Sequence, residues 1–542
     1  MILHDPPVTT RALRAWLPWV LALALVLVAG FEVLEWTHRN GIPDGYQNEF
    51  LHVGNALDLW GALMDRDTWH LRYYLATNYW PPGFYLAPWP LFALLGAGHE
   101  AMLLTNVLWL GVLLLSTWAL GRDLGGRWAG LAAMGFVALY PSVFGNLVRF
   151  EPNVAVTATV TLGAWLLLRS RGFRDRRASL LFGVVCGLGL LTDRLSLALF
   201  LALPAGVMWL SGLARDERGR RGLNGLLALL ALAFVAGAWH VEFLTHHLQE
   251  VLSQGGVGEI DAAGEWTEQR EITDLETWTW YLATLLDSQA GFALGGVGLL
   301  SLAWALKRRG QALVPLLVVL TSVGLFTLIQ KKQAYYTIPM LGCLAALSGA
   351  MLARWGRGRG LVLVAVLVFS LHQHGERFWA QGLPGLSPAF AAQVLPERWV
   401  APRHPQSLPP RDLQLPIDAI AEALPPGEIL VFSEDQTWFE GFLILQLRER
   451  LPEQKVRGLL GDPQGVYEWF DHGQSLVHVE SRVGADPWPQ AERMQAALEQ
   501  HHYSLEELPP VVDEVERGRE DFALVAWWPL EHGGRVSLWR RR

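Results

Sequence analysis

Long apolar runs fill the first two thirds of the chain and limit what it can fold into. A helix needs about 20 apolar residues to cross about 30 Å of hydrocarbon. Runs of that kind recur between residues 15 and 373. Of the 542 residues, 51% are hydrophobic and only 17% are charged, which is apolar for a water-soluble protein. The sequence therefore predicts a polytopic, all-helical membrane domain.

Basic residues between the runs predict the orientation, because short loops rich in Lys and Arg stay in the cytoplasm. Five clusters share one side if the amino terminus is cytoplasmic, namely 122–127, 169–177, 215–221, 307–309 and 354–359. This assignment predicts eleven spans, near 15–35, 100–120, 128–147, 153–169, 178–192, 195–213, 223–244, 289–306, 311–330, 334–352 and 360–373. Residues 36–99 and 245–288 then form outer loops, with 82–97 re-entrant or interfacial and 277–286 along the interface.

Composition changes abruptly after about residue 375. A Pro-rich linker is followed by β-like runs that alternate with amphipathic helical ones. The β-like runs are ILVFS, SLVHVES, FALVAWWPL and VSLW. The sequence therefore predicts a transmembrane domain at 1–374, a linker at 375–415 and a small soluble α/β domain at 416–542 on the outer side.

Charge and cysteine content exclude several functions. The net charge is -8 and the calculated pI is about 6.1, so no basic face for nucleic acid is expected. Cys186 and Cys343 fall inside apolar runs, where they act as small hydrophobes. The sequence has no Gly-rich phosphate loop and no metal-ligand spacing. No cofactor is required by these patterns, and a divalent cation stays open.

Basic residues at the outer ends of the predicted spans need another explanation than topology. They are Arg149, Arg194, Lys331 and Lys332, and acidic residues lie near them at Asp44, Glu49, Glu151 and Asp193. Snorkelling to the interface or pairing with those acids would account for any one of them. Together at one depth, such cations would bind a lipid-linked phosphate where water is scarce.

The first outer loop carries candidate catalytic carboxylates. Asp44, Glu49 and His52 follow the first span, and Glu49 lies one helical turn before His52 if that piece is helical. A general base here would act on the outer face, whereas a solvated acidic loop is the alternative. Pro81 and Pro82 restrict Trp80 to an extended conformation and so fix where the loop returns to the membrane.

Read in order, residues 15–352 resemble the GT-C glycosyltransferases, in particular bacterial members related to protein O-mannosyltransferases and lipid A aminoarabinose transferases. The matching segments are Asn48-Glu49-Phe50-Leu51-His52, Pro81-Pro82-Gly83-Phe84-Tyr85, Arg149-Phe150-Glu151, the Gly-rich 187–194, and 331–339 with Lys331, Lys332, Tyr335 and Pro339. Two positions depart from the family pattern. Asn48 stands where the family usually has its catalytic Asp, and Asp193 stands where it has a Lys, with Arg194 following.

The resemblance implies an inverting transfer in which a carboxylate deprotonates an acceptor hydroxyl or amine. The acceptor attacks the anomeric carbon as a polyprenyl phosphate leaves, and cations stabilise the departing charge. We expect Glu49 or Asp44 as the base and Glu151 as the residue that orients the acceptor or sugar. Substrate binding is assigned to His52, Arg149, Arg194, Lys331, Lys332, Tyr335 and Tyr85.

The implied partners are a polyprenyl-phosphate-linked sugar, membrane lipid, and a lipid, glycan or protein acceptor, at a multi-pass inner (plasma) membrane. Two other functions stay open. A transporter or flippase of a lipid-linked saccharide would share the cations, but such proteins often have repeated halves, and the sequence has no fixed-period repeat. A non-catalytic scaffold of envelope glycan assembly is the second.

Overall fold

The computed structural model describes the chain in segments, and these fall into two compact units. One unit draws on Met1–Asn40, Tyr79–Phe84 and Leu103–Pro409, and the other on Gly41–Asn78, Tyr85–Met102 and Pro410–Arg542. The described residues are 8–40, 47–64, 66–68, 71–72, 80–193, 196–210, 217–243, 268–269, 275–308, 310, 312–328, 331–332, 334–356, 358–379, 417–433, 443, 447, 450–451, 454, 456–458, 473–480, 512–529 and 535–542.

The described residues of the first unit, called the helical unit below, lie almost entirely in helices. Its α-helices are Val8–Asn40, His99–Gly125, Arg127–Ala138, Pro141–Leu147, Asn153–Ser170, Arg176–Thr192, Ser196–Leu210, Arg218–Glu242, Leu275–Thr284, Phe292–Lys307, Leu313–Leu328, Leu341–Ala353 and Arg359–Trp379. A π-helical turn, Leu285–Gln289, and a 3-10 helix, Ala334–Met340, complete the set, and the two-residue strands Glu268–Gln269 and Lys331–Lys332 pair with each other. Each predicted span overlaps one of these helices.

Several helices of this unit suit a lipid environment. Among the described residues, four helices are long and apolar enough to cross a membrane, and a bent pair raises the number to five. The four are Trp16–Arg39, His99–Gly125, Arg218–Glu242 and Tyr335–Ala353. Shorter apolar helices include Phe292–Lys307, Leu313–Leu328 and Arg359–Gly375. The chain is therefore a membrane protein.

The bent pair consists of Arg127–Ala138 and Pro141–Leu147, which meet at 58°. Pro141 has no N–H for the preceding turn, and its ring keeps Tyr140 out of the helical conformation. Tyr140 is accordingly extended, with φ -67 and ψ 121. The bend starts a fully buried seven-residue helix that leads directly to Arg149.

Glycines allow the closest helix contacts in this unit. A Cβ on Gly183 would lie 2.1 Å from the carbonyl oxygen of Ala228, and one on Gly349 would lie 2.3 Å from that of Ala129. Small residues permit backbones to approach in this way, which is how helices associate in lipid, where no hydrophobic force drives them together. These contacts join Arg176–Thr192 to Arg218–Glu242 and Arg127–Ala138 to Leu341–Ala353.

Four of the five basic clusters lie at one end of the helical unit, called the basic end below. Asp123 accepts contacts from Arg122 at 3.0 Å and Arg169 at 3.7 Å, and Arg354 donates to the Leu124 carbonyl oxygen at 3.2 Å. Glu217 pairs with Arg174 and with Arg221. The sequence expectation that these loops share one side agrees with this arrangement.

The second unit contains a five-stranded sheet. Its strands are Val456–Gly458, Ile429–Ser433, Ser475–Glu480, Arg535–Arg541 and Phe522–Pro529, in that spatial order. The first three strands are parallel to one another. Arg535–Arg541 pairs antiparallel with both of its neighbours, Ser475–Glu480 and Phe522–Pro529. All four β-like runs form strands, while Val456–Gly458 was not expected. The helices Ile417–Ala423 and Val512–Asp521 accompany the sheet, and Ile420 of the former packs into its core.

The same unit holds part of the first predicted outer loop. It includes the helices Gln47–Met64 and Trp89–Leu95 and the second half of the short helix Gly83–Leu86. Trp60 contacts Trp89 and Phe92 edge-on, with ring centroids 5.9 and 5.6 Å apart. The 82–97 piece therefore consists of two short helices.

The 277–286 stretch, expected along the interface, belongs to the helix Leu275–Thr284 and the π-helical turn after it. Trp280 and Tyr281 of this helix are buried, whereas Trp278 is exposed. One face of the helix is therefore packed against protein.

Candidate functional site

A buried ion pair lies just after the helix Pro141–Leu147. In the turn of residues 148–151, called the Arg149–Glu151 turn below, Arg149 Nη1 is 3.9 Å from Glu151 Oε1. Both side chains are almost completely buried, and the Glu151 N–H donates to the Arg149 carbonyl oxygen at 3.0 Å. A buried charge is costly unless it is paired and hydrogen-bonded. The pairing that the sequence suggested is present.

Asparagine amides hold this turn. Asn106 Nδ2 donates to the Arg149 carbonyl oxygen at 2.6 Å and to the Asn146 carbonyl oxygen at 3.3 Å. Asn153 Nδ2 donates to Glu151 Oε2 at 2.7 Å and to Asn146 Oδ1 at 2.8 Å. The amides therefore satisfy backbone carbonyls at the helix end and fix the direction of the Glu151 carboxylate.

The segment Pro81–Phe84 lies against the Arg149–Glu151 turn. Phe84 is stacked on Phe150, with ring centroids 4.5 Å apart and 20° between the rings. Gly83 lies so close to the end of the helix Arg176–Thr192 that a Cβ would be 2.5 Å from the Leu191 carbonyl oxygen. That helix ends just before Asp193, and Arg194, which follows, lies outside the described residues. The Phe84 contact and the Gly83 contact thus join three of the family-like motifs in space.

His52 and Tyr85, both predicted to bind substrate, are hydrogen-bonded to each other in the second unit. His52 Nδ1 is 2.7 Å from the Tyr85 hydroxyl, and Asn55 Nδ2 donates to the same oxygen at 3.3 Å. The Tyr85 hydroxyl accepts from Asn55, and the tautomer of the His52 ring sets whether it donates to Nδ1 or accepts from it. His52 and Tyr85 are buried, so this is a built polar cluster.

The two candidate bases differ in what the structure describes. Glu49 lies in the helix Gln47–Met64, three residues before His52, so the helical spacing considered from the sequence is met. The side chain of Glu49 and the whole of Asp44 lie outside the described residues. Their assignment as base stays a prediction.

Lys331 and Lys332 form a two-residue strand in the helical unit. Lys332 is opposite Glu268 and Lys331 is opposite Gln269 in an antiparallel register. The 3-10 helix Ala334–Met340 follows, and in it Tyr335 contacts Tyr336 edge-on with centroids 5.0 Å apart. The directions of the two lysine side chains are outside what the structure describes.

Four amides hold the structure around them and were not predicted from the charges at helix ends. Asn106, Asn146 and Gln289 are buried, and Asn153 is half-buried. Gln289 Nε2 donates to Thr337 Oγ1 at 2.6 Å, and its carbonyl oxygen accepts from Ser142 Oγ at 3.0 Å. An amide within an apolar run, such as Asn106, would have been the signal, because polar groups inside a membrane are expensive and mark functional positions.

Within the segments that the structure describes, no group of three or more His, Cys, Asp and Glu side chains is arranged to hold a metal ion. The side chains of Asp44 and Glu49 lie beyond those segments. A divalent cation therefore stays an untested expectation.

Comparison with solved structures shows that this membrane protein has the GT-C glycosyltransferase fold. Residues 80–239 match the family described as dolichyl-phosphate-mannose-protein mannosyltransferase. This match includes the motifs at Pro81–Tyr85, Arg149–Glu151 and Arg194, but neither Glu49 nor Lys331. The resemblance stated from the sequence is confirmed.

Two solved structures of ArnT show this fold. The chain is similar to ArnT from Cupriavidus metallidurans in the apo state, with a TM-score of 0.57, 15% identity, and coverage of 97% of this chain and 98% of that chain. The crystal structure of ArnT from the same organism bound to undecaprenyl phosphate matches with a TM-score of 0.56 and 14% identity, at the same coverage. The apo oligosaccharyltransferase of Archaeoglobus fulgidus matches with a TM-score of 0.49 and 9% identity, and the match covers 95% of this chain and 74% of that chain. No curated protein gives a significant sequence match.

Proposed function

We propose that this protein is an inverting glycosyltransferase that moves a sugar from a polyprenyl-phosphate carrier to an acceptor at the outer face of the inner membrane. The observation that carries the proposal is the buried Arg149–Glu151 turn, fixed by amides in a chain with the GT-C fold. ArnT, which shares this fold, has been crystallised with undecaprenyl phosphate. A polyprenyl phosphate is therefore the natural donor carrier to test first.

In the proposed reaction, Glu49 or Asp44 takes the proton of an acceptor hydroxyl or amine. The acceptor oxygen or nitrogen forms a bond to the anomeric carbon while the bond to the phosphate oxygen breaks. Phosphate is a weakly basic leaving group, so the step needs cations and no general acid. Arg194, Lys331 and Lys332 are proposed to stabilise the negative charge of the departing phosphate.

Glu151 is proposed to orient the acceptor or the sugar. Its Oε2 already accepts from Asn153, and its Oε1 faces Arg149. A carboxylate held on both sides is well suited to fix a substrate hydroxyl, and less suited to move as a base. His52 and Tyr85, joined at 2.7 Å, and Tyr335 are proposed to line the substrate site.

The proposed topology has eleven spans, a cytoplasmic amino terminus and a soluble α/β domain at 416–542 outside. The helix Asn153–Ser170 supports it, because its 18 residues extend about 27 Å, close to the thickness of a bilayer core. Glu151 precedes this helix, and Arg169 lies in its last turn beside Asp123. With the basic end in the cytoplasm, the Arg149–Glu151 turn is at the outer level.

The test of the base uses membranes that contain Glu49→Gln or Asp44→Asn protein, assayed for sugar release from polyprenyl-phosphate donors. Loss of a general base lowers the rate by about 10²- to 10⁴-fold, so one of the two variants should lose nearly all turnover. Asp58→Asn, in the same helix as Glu49, is the matched control. Unchanged turnover in both test variants would overturn the base assignment.

The topology has its own test, which uses single cysteines at positions 52, 151 and 331 and a membrane-impermeant thiol reagent. We expect all three to be labelled in sealed vesicles that expose the outer side and none of them in sealed inverted vesicles. A cysteine at position 169 should label from the cytoplasmic side. Residues 52, 151 and 331 found on different sides would exclude a shared site.

A further inference from the structure

A chain of hydrogen bonds starts at the ion pair and leads from it through the interior of the helical unit. Five bonds of 2.6 to 3.0 Å connect six buried or half-buried residues. In order, these are Glu151, Asn153, Asn146, Ser142, Gln289 and Thr337. The chain starts at the proposed orienting acid and ends in the 3-10 helix that begins two residues after Lys332.

Gln289 connects the 3-10 helix to the rest of this chain through two separate groups. Its backbone carbonyl accepts from Ser142 Oγ, and its side-chain Nε2 donates to Thr337 Oγ1. Ser142 belongs to the helix that leads to Arg149, and Thr337 is two residues after Tyr335. Both bonds of Gln289 are fully buried.

The backbone around Gln289 is unusual. Gln289 closes the π-helical turn Leu285–Gln289, and such turns inside helices are rare and often occur at functional sites. The wider turn directs a carbonyl and an amide of one residue toward two different elements. Buried hydrogen bonds of this kind hold their two partners at a fixed distance, because breaking one leaves a polar group buried away from water.

We infer that Gln289 is a positioning residue that sets the spacing between the Arg149–Glu151 turn and the segment Lys331–Met340. Its catalytic consequence rests on the proposed function, in which Glu151 orients the acceptor or sugar and Lys331 and Lys332 meet the phosphate. Gln289 itself touches no substrate. It keeps the two groups of side chains at the distance that an in-line displacement requires.

The test compares Gln289→Leu, Thr337→Val and the double variant with wild type in purified full-length protein. Each single variant removes the 2.6 Å bond while keeping side-chain size. We expect kcat to fall about tenfold, the change that corresponds to one lost buried hydrogen bond, with the donor KM nearly unchanged. The double variant should be no slower than either single one, and Thr337→Ser, which keeps the hydroxyl, should restore kcat.

Ser348→Ala is the matched control, because Ser348 Oγ also contacts a neighbouring helix, at Ser301 Oγ, 3.4 Å away. Its kcat should stay close to wild type even if its melting temperature falls as far as that of Gln289→Leu. An equal loss of kcat in Ser348→Ala, additive losses in the double variant, or no rescue by Thr337→Ser would each overturn the inference.

Amide hydrogen exchange gives a readout that does not depend on turnover. Gln289→Leu should speed exchange in both 148–152 and 334–340, and Ser348→Ala should not. Unchanged exchange in these segments would refute the spacing role whatever the activity. Faster exchange in a protein whose wild type releases no sugar from polyprenyl-phosphate donors would instead retain the spacing role and reject the proposed function.

Discussion

The two ends of the helical unit use charge in different ways. At the basic end, Arg169 and Asp123 are 57% and 17% exposed, and Arg174 and Glu217 are 47% and 38% exposed. In the Arg149–Glu151 turn the values are 1% and 4%. Exposed pairs contribute little to stability, whereas a buried pair leaves an uncompensated charge if one partner is lost. The proposed topology relies on the basic end, and the buried turn is a candidate site.

The side chains that donate hydrogen bonds to backbone carbonyls also differ between the two ends. Arg354 caps a carbonyl at the basic end with a guanidinium that reaches water. In the buried turn, the neutral amide of Asn106 caps the carbonyls of Asn146 and Arg149. Neutral amides can be buried at lower cost than charges, so these two carbonyls are capped without burying a further cation.

The largest expected effect comes from breaking the buried pair. Arg149→Met should destabilise the protein by about 3–5 kcal/mol, because it leaves Glu151 without its counter-charge. Arg169→Met, at the exposed end, should change stability by about 0.5 kcal/mol or less. Thermal or chemical unfolding in detergent would measure both, and equal effects would remove the distinction between the ends.

A methyl group on Gly83 tests the contact between the Pro81–Phe84 segment and Leu191. Gly83→Ala should cost about 1–3 kcal/mol, as overpacking does, and should slow sugar transfer, since the segment continues into Tyr85. Gly135→Ala is the control, because no atom lies within 4 Å of its added Cβ. That control should be neutral or stabilise by about 0.5–1 kcal/mol. A neutral Gly83→Ala would contradict the close approach.

The hydrogen bond between His52 and Tyr85 should have a smaller effect on folding. Tyr85→Phe removes the oxygen shared by His52 and Asn55, and we expect a loss of about 0.5–1.5 kcal/mol. Tyr140 is also fully buried, but its hydroxyl has no hydrogen-bond partner among the described residues. Tyr140→Phe should therefore leave the melting temperature unchanged or raise it. A larger loss of stability in Tyr140→Phe than in Tyr85→Phe would be evidence against the His52–Tyr85 cluster.

The smallest effect is expected at the basic end. Partial desolvation opposes the shift, but the hydrogen bonds and charges of Arg174 and Arg221 lower the pKa of Glu217 below its ordinary value. A lowered pKa stabilises the folded state above the ordinary value, and this contribution is lost as the pH falls through the folded-state value. Glu217→Gln should lower the melting temperature slightly at neutral pH, and the difference should vanish in acid. A difference that grows in acid would contradict the assignment.

Local pattern made the helices predictable from the sequence. Apolar runs and loop charges depend on neighbouring residues, and so each predicted span overlaps a helix, such as Asn153–Ser170 for 153–169. The β-like run SLVHVES likewise forms the strand Ser475–Glu480. The surroundings of a helix were harder to predict than its position. The stretch 277–286 was expected along the interface, but Tyr281 is buried by residues from other parts of the chain, which hydropathy alone does not determine.

The candidate site was predictable only in part. Motif order indicated Arg149, Glu151, His52 and Tyr85, because their residue types stand at recognisable positions. The partners of these residues were not visible in the sequence, since Asn106 and Arg149 are 43 residues apart and His52 and Tyr85 are 33 apart.

By itself the sequence determined that the chain enters a membrane, where its helices run, and which charged residues stand at their ends. These properties follow from the cost of placing polar groups in hydrocarbon, which acts on each segment separately. Only the tertiary structure decided that Arg149 is buried beside Glu151 and that Gln289 bonds Thr337, 48 residues away. Such contacts depend on how separate helices pack, and packing joins residues with no local relation in the sequence.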